Sequence, residues 1–205
     1  MTLSIVGRSS SHFTRVVRMF AHELGIDYTF QLVADLNSTT PGDYADNPAL
    51  KIPVLQTPEG PWFGALHICR ELARRTPHAP KIIWPEQLHD RIASNAQELV
   101  LQGMGTEVSL IMQAAGGAIP TSGKAFTSLT NMLSWLDTHL PAARASTSTS
   151  GTLSFLDLTA YCFITHLPFR KVLDVSAYRM LQAFSDELGQ RPSARATTFR
   201  YDFSS

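Results

Sequence analysis

The feature that most constrains this chain is a proline where a strand should be. Residues 52–57, IPVLQT, are a short apolar run bounded by turn residues, the pattern of a buried strand. Pro53 has no N–H to donate to a ladder, so it belongs at a strand start, an edge or a bulge and not at a strand centre. Pro53 therefore stands near the start of the strand, and something must call for a proline there. Glu59 and Gly60 mark a turn into a second short strand, PWF at 61–63, and ALHICRELARR continues as a helix to the breaker TPHAP.

Upstream, TLSIV at 2–6 reads as a strand and GRSSSH at 7–12 as a polar loop. Phe13, Val16, Val17, Phe20, Ala21 and Leu24 then recur at helical spacing, and Gly25 follows as a stop. IDYTFQLV at 26–33 is a second strand, and residues 34–48 are a turn-rich connection broken by Pro41-Gly42 and Asn47-Pro48. The order is β-α-β, a connection, then β-β-α. The first half implies a parallel pair with a right-handed crossover, and the second an antiparallel hairpin. Together they predict a small mixed sheet with helices packed on it.

The character changes from about Ile82. Leu88, Ile92, Leu99, Val100, Val108, Leu110 and Ile111 predict a long helix that carries Gly103 and Gly105, with a kink there as one option. Phe126, Leu129, Leu133, Leu136 and Leu140 form a second helical stripe, and ARASTSTSGT at 143–152 is a small-residue loop. Ser154 reads as the N-cap of a third helix, with Asp157 reaching back and Leu153 and Leu158 as a hydrophobic staple. A last helix is predicted over about 175–188, stopped by Gly189. The expected organisation is an α/β domain at 1–76, a Pro-rich linker near 76–85, and an all-α domain at 86–205.

Among 205 residues, Lys and Arg balance Asp and Glu at 17 each. A chain without net charge has no electrostatic footprint for nucleic acid or an anionic membrane. Cys69 and Cys162 sit in apolar helical patterns and read as buried small hydrophobes. There is no basic-then-apolar leading segment and no apolar run of bilayer length. The expectation is a soluble, reduced, cytoplasmic protein. The histidines show no ligand spacing, so no metal is expected.

Four segments carry a resemblance: FTRVVRMFAHELGIDY, NPALKIPVL, SFLDLTAY and RPSARAT. In this order and at these distances the chain resembles a cytosolic glutathione transferase over nearly its whole length, and within that family the bacterial, serine-type members. The resemblance implies a thioredoxin-like N-terminal domain in which the bond before Pro53 is cis. It implies that Ile52 and Pro53 turn the backbone outward to pair with the cysteinyl part of glutathione, a short added strand. It implies that Lys51 meets the glycyl carboxylate, with a solvated strand-end lysine as the plain alternative.

Glutathione must lose its thiol proton to act as a nucleophile. The family supplies a hydroxyl or thiol donor before the first helix. Counting back from Val16-Val17-Arg18 places Ser11 there, with Ser9 and Ser10 as rivals. A serine at this place is most often a simple N-cap. No cysteine stands in the loop, which disfavours thiol-disulfide chemistry. His12 is expected to face solvent.

The chain departs from the family at the end of the fourth strand. Relatives carry an acid or glutamine followed by serine, which hold the γ-glutamyl ammonium and carboxylate. Here those positions are Gly64 and Ala65, and no Glu, Asp, Gln or Ser occurs between Trp62 and Arg70. Only the backbone amides of Ala65 and Leu66 remain to meet a carboxylate. Two readings follow. One is a glutathione transferase acting on a small apolar electrophile, with a pocket between the domains lined by Met104, Val108, Met112, Phe199, Tyr201 and Phe203. The other is a non-catalytic binding protein of the same fold. The family usually dimerises, so a homodimer is expected.

Overall fold

A computed structural model describes residues 3–76, 80–114, 117–145, 147 and 152–203. The linker read at 76–85 and the loop read at 143–152 therefore lie partly outside the described residues. The chain divides into two compact units, one of residues 1–79 with 192–205, the other of residues 80–191.

The first unit holds β1 (Ser4–Gly7), α1 (His12–Glu23), β2 (Thr29–Leu32), β3 (Val54–Thr57), β4 (Gly60–Phe63), α2 (Ala65–Arg74) and a short α7 (Pro192–Ala196). Its sheet has the order β2-β1-β3-β4. β1 and β2 are parallel, and β3 is antiparallel to both β1 and β4. This is the mixed sheet that the order of elements predicts. Side chains alternate between its faces. Val6 and Val54 join Val33, Tyr44 and Ala45 in one cluster, with Ile52 and Phe63 packed on it. Ile5 and Leu55 point the other way and are fully buried, where α1 and α2 pack on the strands and on each other.

Residues 192–205, read from sequence as part of the second domain, group with the first unit. The reason is local: α7 packs along α1, and Arg15 donates through Nη2 to the carbonyl of Ala194 at 3.1 Å. A five-residue helix carries too few periodic positions to be seen in sequence.

The second unit is helical: α3 (Arg91–Ala114), α4 (Lys124–Ala145), α5 (Phe155–Phe169) and α6 (Arg179–Gly189). It also contains a short parallel pair, β5 (Lys81–Ile83) with β6 (Thr152–Ser154), where the sequence predicts a linker, the end of a loop and a helix start. Ser154 caps α5 as expected, its Oγ accepting from the Asp157 N–H at 3.4 Å. α6 begins at Arg179, later than the predicted helix, because residues 172–178 are irregular. Cys69 and Cys162 are both buried, as their apolar helical patterns predict.

α3 runs unbroken through Gly103, and the glycine serves a close approach. A Cβ there would lie 2.5 Å from Cζ of Phe163 on α5. Gly103→Ala is expected to destabilise this unit by about 1–3 kcal/mol, the cost of overpacking, despite alanine's better helix propensity. A thermal unfolding midpoint equal to or above wild type would show that the ring yields instead.

Arg144 ties three helices of the unit together. Nη1 and Nη2 grip the Glu187 carboxylate at 2.9 and 2.8 Å, and Nε donates to Asp157 at 3.2 Å. The Arg144 hydrogen bonds hold the Glu187 carboxyl below its ordinary value of 4.5. A lowered folded-state value means the pair contributes above the unfolded value, and the contribution is lost as pH falls through the folded one. Glu187→Gln is therefore expected to flatten the decline of melting temperature below about pH 4.5 and to leave a smaller difference from wild type there than at neutral pH.

Candidate glutathione-type site

The strand register collects the candidate residues. Val6 stands opposite Val54, and Val54 opposite Phe63. β1 leaves the sheet at that end into the loop that carries Ser11. β3 enters the sheet there just after Pro53. β4 leaves it there into Gly64. One sheet end thus gathers the serine loop, the Ile52–Pro53 segment and the first turn of α2, and the N-terminus of α1 opens at the same end.

Ser11 is the N-cap of α1, with extended backbone (φ −99°, ψ 125°), and its Oγ accepts the Thr14 N–H at 3.2 Å. Capping uses one lone pair of the hydroxyl, and an O–H has one hydrogen to give as well. The two rival serines differ. Ser9 is 2% exposed, its Oγ lies 3.5 Å from Nη1 of Arg18, and its backbone N–H donates to Asp202 at 2.7 Å. Ser10 is half-buried and precedes the cap. His12 is 1% exposed, which corrects the expectation that it faces solvent. As the first residue of α1 it turns inward, with its ring edge-on to Phe13 at 4.6 Å.

The Ile52–Pro53 bond is cis, as the resemblance implies. Asn47 braces the approach to it. Its Nδ2 donates to the Lys51 carbonyl at 2.7 Å, and its Oδ1 accepts the Ala49 N–H at 3.0 Å. Asn47 is 4% exposed, so this brace is internal, while the Lys51 side chain is exposed.

Gly64 is the N-cap of α2 and has φ +79°, a left-handed value that favours glycine. It offers no side-chain cap, and the first bond of the helix runs from the Ile68 N–H to the Gly64 carbonyl at 3.0 Å. Helix geometry gives the N–H groups of Ala65, Leu66 and His67 no partner within α2. These amides and the positive end of the helix dipole suit an anion. A Cβ at Gly64 would meet only His67 Nδ1, at 4.0 Å, so the space for a side chain is open.

A cavity of about 360 Å³ in this unit lies elsewhere, on the sheet face lined by Val6, Gln31, Leu32, Asp35, Asp43 and Gln56. None of the candidate residues lines it. That is no conflict, because an extended peptide adds along a backbone edge and needs no enclosed cavity. In the second unit, Met104 is fully buried, whereas Val108 and Met112 are 39% and 63% exposed. Phe199 and Phe203 lie under the guanidinium groups of Arg15 and Arg8, and Tyr201 is 63% exposed. The contact that sequence reading missed is Asp202 to Ser9. Its one signal is a lone acid set between aromatic residues in FRYDF.

Residues 10–75 match the family described as Glutathione S-transferase, N-terminal domain. The whole chain has the glutathione S-transferase fold, with a thioredoxin-like unit and a helical one. A glutathione S-transferase of Methylobacillus flagellatus with GSH bound is 22% identical, with a TM-score of 0.75 over 97% of this chain and 100% of that one. One from Methylobacterium radiotolerans, in complex with glutathione sulfonate, is 19% identical, with a TM-score of 0.77 over 100% and 99%. A family member from Pseudomonas fluorescens with bound glutathione is 21% identical, with a TM-score of 0.77 over 97% and 100%. No curated protein matches in sequence. Among the described residues no helix is long and apolar enough to cross a membrane.

Proposed function

We propose that the protein binds glutathione along the Ile52–Pro53 segment, forms its thiolate beside Ser11, and transfers it to a small apolar electrophile. The observation that carries this reading is the register that brings the serine loop, the cis-proline segment and the start of α2 to one sheet end. The Ser11 hydroxyl donates to the thiolate while its oxygen caps α1, and the dipole of α1 favours the negative sulfur. The backbone of Ile52 pairs with the cysteinyl residue. Lys51 meets the glycyl carboxylate, and the N–H groups of Ala65 and Leu66 meet the γ-glutamyl carboxylate. The sulfur lone pair then attacks the electrophilic carbon. The thiol proton passes to solvent as the thiolate forms; after the attack either a leaving group departs with its electron pair, or an activated double bond opens and its carbanion takes a proton back from solvent. The same reading makes the protein a cytoplasmic homodimer that uses no metal.

A second reading rests on one specific observation. Gly64 and Ala65 give no acceptor to the ammonium and no hydroxyl to the carboxylate. A protein of this fold without them would bind another ligand or a partner and do no chemistry. Titration calorimetry of the wild type with glutathione at neutral pH, followed by a conjugation assay with an activated aryl chloride, separates the two. Saturable binding with turnover supports the first. Absence of both supports the second.

A further inference from the structure

Residues 197–203, after α7, form neither helix nor strand, yet they are held against the loop before α1. Asp202 is at the centre of this contact. Its side chain is 1% exposed, and Oδ2 accepts the Ser9 backbone N–H at 2.7 Å from a position 193 residues away. The Phe203 ring lies under the Arg8 guanidinium at 4.4 Å, and the Phe199 ring under that of Arg15 at 4.2 Å. Ser193 hydrogen-bonds Glu23 near the far end of α1.

Packing alone does not account for the acid. Asp202 Oδ1 pairs with the exposed Arg200 guanidinium through Nε at 3.7 Å, and burying a carboxylate is costly unless it is paired and hydrogen-bonded. The bond that Asp202 makes goes to a turn that matters. Residues 8–11 form a turn closed by the Ser11 N–H to the Arg8 carbonyl at 3.1 Å. Asp202 holds its second residue by the backbone, and Phe203 holds its first residue by the side chain. The fourth residue is Ser11.

We propose that Asp202 is a positioning residue: the segment of residues 197–203 is a strap that sets the turn of residues 8–11, and with it the place of the Ser11 hydroxyl. The part that concerns catalysis rests on the function proposed above. The test compares wild type, Asp202→Ala and Asp202→Asn in the full chain. Asparagine keeps an oxygen acceptor for Ser9 and loses only the charge. Asp202→Ala is expected to exchange the Ser9 amide hydrogen about tenfold faster or more, by loss of its one long-range partner. Its conjugation kcat is expected to fall by about a hundredfold, the scale of a misplaced catalytic group, with little change in KM for glutathione. The acidic limb of its pH–rate profile, where the thiol ionises, should move to higher pH, and Asp202→Asn should restore most of the rate. A folded Asp202→Ala with wild-type kcat and pH profile, or with unchanged Ser9 exchange, overturns the proposal. Should that variant not fold, Phe203→Ala loosens the same strap and is read against the same outcomes. A wild type that neither binds nor conjugates glutathione overturns the reaction and not the strap, which the Ser9 exchange then upholds or overturns by itself.

Discussion

Ser11→Ala is expected to cut conjugation by about 10- to 100-fold, the worth of one hydrogen bond to a charged group at roughly 1.5–3 kcal/mol. The loss should fall on kcat, because the hydroxyl meets the thiolate more strongly than the thiol. The alanine variant carries a second defect. Ser11 caps α1 through Thr14, and replacing a capping serine by alanine costs about 1 kcal/mol of stability. Glycine at an N-cap costs only a few tenths. Ser11→Gly therefore removes the hydroxyl and nearly spares the helix. Equal rate losses in the two variants, with a lower melting temperature in alanine alone, would assign the rate to the hydroxyl. A full rate in Ser11→Gly would reduce Ser11 to a cap. The pH–rate profile gives a separate check. Without the hydroxyl the bound thiol titrates nearer its free value, so the acidic limb, where the rate rises with thiol ionisation, should move to higher pH.

Ala65→Ser is expected to tighten glutathione binding by about tenfold or more. The added hydroxyl stands at the first residue of α2 beside unpartnered amides, and a charge-assisted hydrogen bond there is worth roughly 1.5–3 kcal/mol. Helix stability should hardly change, since the serine sits in the first turn. Gly64→Glu is the less clean companion. Its Cβ has room, but the backbone at φ +79° strains any side-chain residue by about 1–3 kcal/mol. The double variant should therefore gain affinity and lose stability together. Calorimetry of wild type and Ala65→Ser reads the first effect directly. A gain marks this helix start as the γ-glutamyl subsite. No gain, in a protein that does bind glutathione, would place the γ-glutamyl end elsewhere.

Much of the fold is written in short-range pattern. The stripe from Phe13 to Leu24, the turn between β3 and β4 (read at Glu59-Gly60, one residue later than it falls) and the capping serine at 154 each act within a few residues, so the chain declares them locally. Pro53 declares a strand start because its missing N–H is a property of the residue itself. β5 and β6 are different. Three residues carry no period, and they become strands only because their partners lie some 70 positions away. The position of α7 has the same cause, since five residues bury themselves only when α1 is already there.

The candidate site divides along the same line. The family resemblance singles out Ser11, Lys51, Ile52, Pro53, Ala65 and Leu66, and the missing pair at Gly64 and Ala65, all at the ends of predicted elements. Local chemistry by itself determines less: that Pro53 stands at a strand start, and that a serine before a helix is a cap. Tertiary structure alone decided which of these ends meet, through a register in which Val6, Val54 and Phe63 align. It alone buried His12 and Ser9 and brought Asp202 to the serine turn. Contacts over such distances in the chain depend on the sum of all packing, and no single segment encodes them.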